Sequence, residues 1–171
     1  MKSFTQKELS IGLSKIGIKK NSTILIHSGI NYLGIMDKIA NNKIPEKIFK
    51  ILSKTVGKNG TLLFPGFFYN YARKKIFFDL KHSKPCKSLG VISQYVFETK
   101  KIYRSKNPLT SLMGVGKNAK GICKESNSRS YEYNSVWDKL FKSNAEILFL
   151  GVPLSESMSF IHYLENIIGV P

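Results

Sequence analysis

Near the carboxyl end, "SMSFIHYLENIIGVP" places His162 three residues before Glu165. In a helix this spacing brings the two side chains to neighbouring surface positions. An imidazole beside a carboxylate can take up and release a proton near neutral pH. Phe160, Ile161, Leu164, Ile167 and Ile168 cover most of the remaining helix surface. The pattern predicts a titratable pair at the rim of a buried helix, where desolvation and the neighbouring carboxylate tune its pKa. A lone histidine on a mostly apolar helix is more often a packed core residue, and the stretch alone leaves both readings open. Other polar groups gather where strands are expected to end. "LIHSGINYLG" offers His27 and Ser28 before a glycine turn, and "YRSKNPLTSLMGVG" brings Ser105, Thr110 and Ser111 close behind Arg104.

The elements that must hold these groups follow from caps and periodicity. Thr5 and Glu8 form a T-x-x-E capping box that opens a helix through Ile16. "STILIHSG" reads as a short buried strand. Pro45 suits the first turn of a helix whose apolar residues Ile48, Phe49, Leu52 and Val56 keep helical spacing, with Gly57 beyond it. "NGTLLFPGFF" is a turn and a second strand. Ser88 is expected to cap a helix through Phe97, "KIYRS" to form a third strand, and Ser135 to cap "VWDKLF". "EILFLGV" is a fourth strand, and Ser155 or Ser157 is expected to open the terminal helix. Alternating helices and short continuous apolar strands predict an α/β single-domain layered sandwich, a mixed sheet with helices on both faces. The stretch from Asn70 to Lys87 is long, basic and irregular, and loops of that kind are often functional.

Composition sets outer limits. The chain has 171 residues, 42% hydrophobic and 12% aromatic, which excludes a disordered polymer. No apolar run is long enough to span a bilayer, and "MKSFTQKELS" lacks a signal peptide's apolar core. Cys86 and Cys123 have no metal-ligand spacing and make no disulfide framework, which favours a reduced, cytoplasmic compartment. Twenty-seven Lys and Arg stand against 11 Asp and Glu, a formal charge of +16 that suits anionic partners. The lysines are scattered, and arginine, the better reader of base edges, is scarce, so nucleic acid is disfavoured as the partner. No phosphate loop, dinucleotide fingerprint, nucleophile elbow or H-E-x-x-H is present. The three histidines lie far apart in sequence, and no metal is expected.

Read in order, "H-S-x-x-x-x-L-G", "G-T-L-L-F-P", "R-S-x-N-P-x-x-S" and "L-G-V … H-Y-x-E-x-x-x-G-V-P" resemble the aminoglycoside 3-N-acetyltransferase family, the antibiotic N-acetyltransferases. "FFDLKHSKPCKSLGVISQYVF" and "NSVWDKL" are similar to two further segments of that family, so the resemblance runs along essentially the whole chain. There are departures. Gly29 stands where the family commonly has serine, Asn107 where it often has histidine, and Ser135-Val136 where it has serine-proline. Family members usually continue beyond "GVP", so residues 1–171 are expected to form one acetyltransferase-like domain without the family's C-terminal portion.

The resemblance implies transfer of an acetyl group from acetyl-CoA to an amine of an aminoglycoside or amino sugar. It makes His162 the general base and Glu165 its orienting partner or a contact for the cationic acceptor. Acetyl-CoA would lie against His27, Ser28, Gly29, Ile30, Asn31 and Tyr32. Arg104 would meet phosphate, and Ser105, Asn107 and Ser111 would hold the thioester carbonyl or the pantetheine arm. The expected partners are acetyl-CoA and a small-molecule amine acceptor, with homo-oligomerisation open. The dispersed acids favour a less cationic acceptor than an aminoglycoside, such as a nucleotide-linked amino sugar. A non-catalytic acyl-CoA-binding module and a basic nucleic-acid-binding protein are the alternatives.

Overall fold

A computed structural model describes residues 3–170. The chain runs β1 (Ser3–Phe4), α1 (Gln6–Lys15), β2 (Thr23–Ser28), α2 (Ile30–Leu33), β3 (Ile35–Met36), α3 (Ile44–Val56), β4 (Thr61–Pro65), α4 (Asn70–Lys74) and α5 (Val91–Thr99). It continues through β5 (Tyr103–Arg104), β6 (Leu112–Gly116), α6 (Val136–Lys142), β7 (Glu146–Leu150), α7 (Leu154–Ser157) and α8 (Ile161–Ile168). The main sheet has the order β5-β6-β4-β2-β7. β2 pairs in parallel with both β4 and β7, whereas β6 is antiparallel to β4 and to β5. β1 and β3 form a small parallel pair beside it.

Successive strand side chains point to opposite faces, and this divides the core in two. On one face Ile24, Ile26, Leu62 and Phe64 pack with Leu13, Ile48, Leu52, Ile92 and Val96 from α1, α3 and α5. On the other, Leu25, Leu63 and Leu112 pack with Ile122, Trp137, Leu140 and Tyr163. The layered sandwich with a mixed sheet expected from the sequence is the observed architecture.

Local chemistry explains several helix ends. The Thr5 hydroxyl accepts from the Glu8 N–H, and the Glu8 carboxylate accepts from the Thr5 N–H at 2.7 Å, so both arms of the capping box form. Pro45 sits in the first turn of α3, and Gly57, at φ +71°, ends it. The Ser135 hydroxyl caps α6 by accepting from the Asp138 N–H.

Two helix starts differ from expectation. α5 begins at Val91 behind Gly90, because Ser88 lies in a 3-10 turn (Lys87–Leu89) with its hydroxyl 3.1 Å from the Cys86 thiol. α8 begins at Ile161 behind Phe160, since Ser155 and Ser157 belong to the separate short turn α7. β6 was not anticipated. Its "LMGVG" has two glycines and no strong alternation, and antiparallel pairing with β4 supplies what propensity does not.

Candidate active site

The parallel strands β2, β4 and β7 all end on one edge of the sheet, and the crossover from β2 to β4 runs through α3 on one face whereas that from β6 to β7 runs through α6 on the other, so the winding reverses at the β2–β7 seam. Such a switch point leaves a crevice at the carboxyl ends of the strands. Here a cavity of about 550 Å³ occupies it. All six residues from His27 to Tyr32 line it, with Pro65 at the end of β4 and Phe67 beyond it, Lys87 to Val91 at the start of α5, and Val152 beyond β7.

Two glycines keep this edge close-knit. A Cβ on Gly29 would meet Val152 Cγ1 at 2.7 Å and the Gly151 carbonyl oxygen at 2.8 Å, so β2 and β7 converge where only a bare backbone fits. A side chain at this position would require Val152 and the Gly151 carbonyl to shift. Gly90, at φ +89°, lies against the Ser28 carbonyl, which a Cβ would meet at 2.5 Å. No side chain caps α5, and Gly90 and Val91 at its N-terminus line the cavity. Free helix N-termini with a nearby cation, here Lys87, attract anionic oxygen.

His27 is buried in the cavity wall, stacked on Phe149 with centroids 5.6 Å apart and rings inclined by 10°. Its Nε2 has no hydrogen-bond partner, and neither does the Ser28 hydroxyl. Burial pulls the His27 pKa down to about 4, so the ring is neutral at physiological pH.

His162 stands on α8, and its Nδ1 is 2.9 Å from Glu165 Oε2. A carboxylate accepts, so the ring carries its proton on Nδ1 and leaves the Nε2 lone pair free. The ring packs against Tyr131, centroids 5.3 Å apart. Contrary to the buried-rim expectation, the pair is open: the side chains of His162 and Glu165 are 56% and 45% exposed. Only Tyr163 of α8 is buried, while Ile161, Ile167 and Ile168 face solvent. Hydrogen bonds hold the helix where apolar packing is thin. The Tyr163 hydroxyl donates to Asp138 Oδ1 at 2.9 Å, and Asn166 Nδ2 donates to the Tyr131 carbonyl at 3.0 Å. Asp138 also accepts from Lys142 and from the Asn134 N–H, both at 2.8 Å. Burial works to raise the Asp138 pKa, but these three donors outweigh it and hold the carboxyl below its usual range.

The second expected binding stretch is not at this cavity. Arg104 is buried, its guanidinium donating to the carbonyls of Ser83 (2.5 Å) and Gly66 and lying between the rings of Phe78 and Phe97. Burial draws its pKa down to about 10, which leaves it charged but unavailable to a phosphate. The Ser111 hydroxyl donates to the Gly66 carbonyl at 2.6 Å, and that of Ser105 accepts from the Leu112 N–H at 2.9 Å. Asn107 bonds Ser128, Ser130 and the amides of Leu109 and Thr110. The polar run "R-S-x-N-P-x-x-S" therefore fastens the loops after β4 and β5 to one another, and only the first stretch faces the crevice.

Several lining residues escaped sequence reasoning: Tyr69, Lys87, Glu156, Ser157 and Ser159. Their signal lay in position, since all five sit in the connections that follow β4 and β7 on the way to α5 and α8. Among the described residues no three His, Cys, Asp or Glu side chains are grouped closely enough to hold a metal ion, and both cysteines are free. No described helix is long and apolar enough to cross a membrane.

A mixed-sheet α/β sandwich with a crevice at its switch point, and a histidine–glutamate pair on the helix following the last strand, defines a narrow class. Residues 25–171 match the model of the aminoglycoside 3-N-acetyltransferase family, and the chain belongs to it. Solved structures of the same fold include AAC-IIIb in binary complex with CoASH, with 23% sequence identity, a TM-score of 0.82, and 96% of this chain and 65% of that one covered. The aminoglycoside acetyltransferase AAC(3)-IIb gives 20%, 0.83, 100% and 67%, and the YokD protein from Bacillus subtilis 18%, 0.84, 97% and 67%. The chain thus spans about two thirds of these relatives' length, 65 to 67%. No curated protein sequence matches it.

Proposed function

We propose that this chain is an N-acetyltransferase domain that moves the acetyl group of acetyl-CoA to an amine of an aminoglycoside or amino sugar in the cytoplasm. One observation carries the reading. The crevice at His27–Tyr32 and the 750 Å³ depression that includes His162 share Glu156, Ser157 and Ser159 in their walls. A thioester in the crevice and an amine beside His162 would meet across that shared wall.

The chemistry follows from the groups present. An alkylamine is protonated at neutral pH, and only its free base attacks a thioester. The ammonium gives one proton to solvent to become the free base, and His162 Nε2 takes a second as that amine attacks, while Glu165 holds Nδ1–H and stabilises the imidazolium that forms. The amine nitrogen bonds to the acetyl carbon, the carbon–sulfur bond breaks, and the CoA sulfur leaves as thiolate. Glu156 and Glu165 present negative charge to a cationic acceptor. The α5 amides and Lys87 supply positive potential for phosphate or for a developing oxyanion.

Calorimetry with CoA and an acetyl-transfer assay against aminoglycosides and nucleotide-linked amino sugars, run side by side, test the reading. CoA binding with turnover of either amine supports it. A folded chain that binds no CoA, or binds it and acetylates neither amine, overturns it.

A further inference from the structure

The stretch from Asn70 to Lys87, expected to be irregular, opens with the helix α4 (Asn70–Lys74) and continues as a loop, and it contributes only Lys87 and none of its apolar residues to the crevice. It carries Tyr71, Ile76, Phe77 and Leu80 exposed, and Phe77, at 83%, is the most exposed large hydrophobic side chain among the described residues. The same loop is firmly built. Phe78, the next residue, turns inward against Phe68, 5.9 Å between centroids, and under the Arg104 guanidinium. The Asp79 carboxylate accepts from the amides of Lys81 and His82, and the Asp79 N–H donates to the Ser83 hydroxyl at 2.9 Å. Arg104 clamps the Ser83 carbonyl from below. Phe77 is thus held out in solvent by a pinned turn, and the one acid of the loop is engaged in holding it.

Arg73, Lys74, Lys75 and Lys81 flank these apolar residues in sequence, all exposed, with the Arg73 guanidinium lying over the Tyr69 ring. Lys74, Lys75 and Lys81 make no ion pair among the described residues. An apolar tip flanked by long cationic side chains matches the boundary of a bilayer, where the tip enters the acyl region and the cations reach anionic headgroups. Two of the four apolar residues are aliphatic, which disfavours a base-stacking platform. Lysine-rich rims suit a charged lipid plane better than a protein interface, where lysine is depleted.

We propose that the Tyr71–Lys81 segment, the end of α4 and the loop after it, is an interfacial wedge that seats this protein on an anionic lipid bilayer. Co-flotation with vesicles of phosphatidylcholine plus phosphatidylglycerol, against phosphatidylcholine alone, tests it. The chain is expected to float with the anionic vesicles only. Phe77→Asp should weaken that binding roughly tenfold or more, and Lys74→Glu with Lys75→Glu should do the same. Ile11→Asp, an equal charge change at an exposed position on α1, should leave it unchanged. In Phe77→Trp the emission should shift to the blue on adding anionic vesicles, over a constant background from buried Trp137. The proposal is overturned by absence of co-flotation, or by equal losses in Phe77→Asp and Ile11→Asp, which would mean adsorption by net charge. It is equally overturned if the Phe77→Trp shift follows protein concentration, marking a second copy, or follows a single-stranded oligonucleotide and not vesicles.

Discussion

Replacing His27 by phenylalanine should make the protein more resistant to mild acid. The neutral ring lies buried against Phe149 with Nε2 unpartnered, so protonation would place an unpaired charge inside the cavity wall. Burial lowers the folded-state pKa from 6.5 to about 4. Between those values the unfolded chain binds more protons than the folded one, so stability rises with pH across the window and falls as acid is added. A gap of about 2.5 units at 1.36 kcal/mol each makes the full loss about 3 kcal/mol, complete just below pH 4. That is a large share of the roughly 5–15 kcal/mol typical of a whole domain. Phenylalanine keeps a flat ring for the stack and cannot ionise. Urea unfolding of both proteins between pH 4 and 7 gives the comparison, with the variant nearly level where the parent slopes. Parallel slopes through this window would refute the account, because the remaining carboxylates titrate in both chains alike.

His162→Ala should lower acetyl transfer by roughly two to four orders of magnitude while CoA affinity by calorimetry stays within about twofold. Arg104→Met should destabilise the fold by about 3–5 kcal/mol in urea melts, since it strips donors from the Ser83 and Gly66 carbonyls at a buried site. Tyr163→Phe removes one donor from buried Asp138 and should cost about 1–3 kcal/mol. Its hydrogen-exchange profile should show earlier opening of Ile161–Ile168 than of the sheet. Gly90→Ala forces a Cβ onto the Ser28 carbonyl at positive φ, and should lower both stability and CoA affinity.

The fold was legible where one local signal sufficed. The Thr5–Glu8 box, Pro45 with Gly57, and the Ser135 cap each fix a helix end from within a few residues. β6 and the starts of α5 and α8 were not legible, because strand partners and competing serines decide them from elsewhere. At the candidate site, the order of motifs pointed to His27–Tyr32 and to His162 with Glu165. It could not tell a polar run that faces a ligand from one that fastens loops. Arg104 and Asn107 look like ligand contacts in one dimension, and only their partners at Ser83, Gly66 and Ser128 reveal the difference.

The place of β7 in the sheet also governs how the chain can assemble. β2 lies inside the sheet, with one flank paired to β4 soon after it in sequence and the other to β7. Ser22 and Glu146, which hydrogen-bond beside that second seam, are 124 positions apart. Closing so long a span is slow compared with forming neighbouring elements. As the polypeptide leaves the ribosome, the β2 flank is therefore an open strand edge, rich in Ile and Leu, until β7 has emerged. This seam is where nascent copies would pair with one another, and where a chaperone would do most to prevent it.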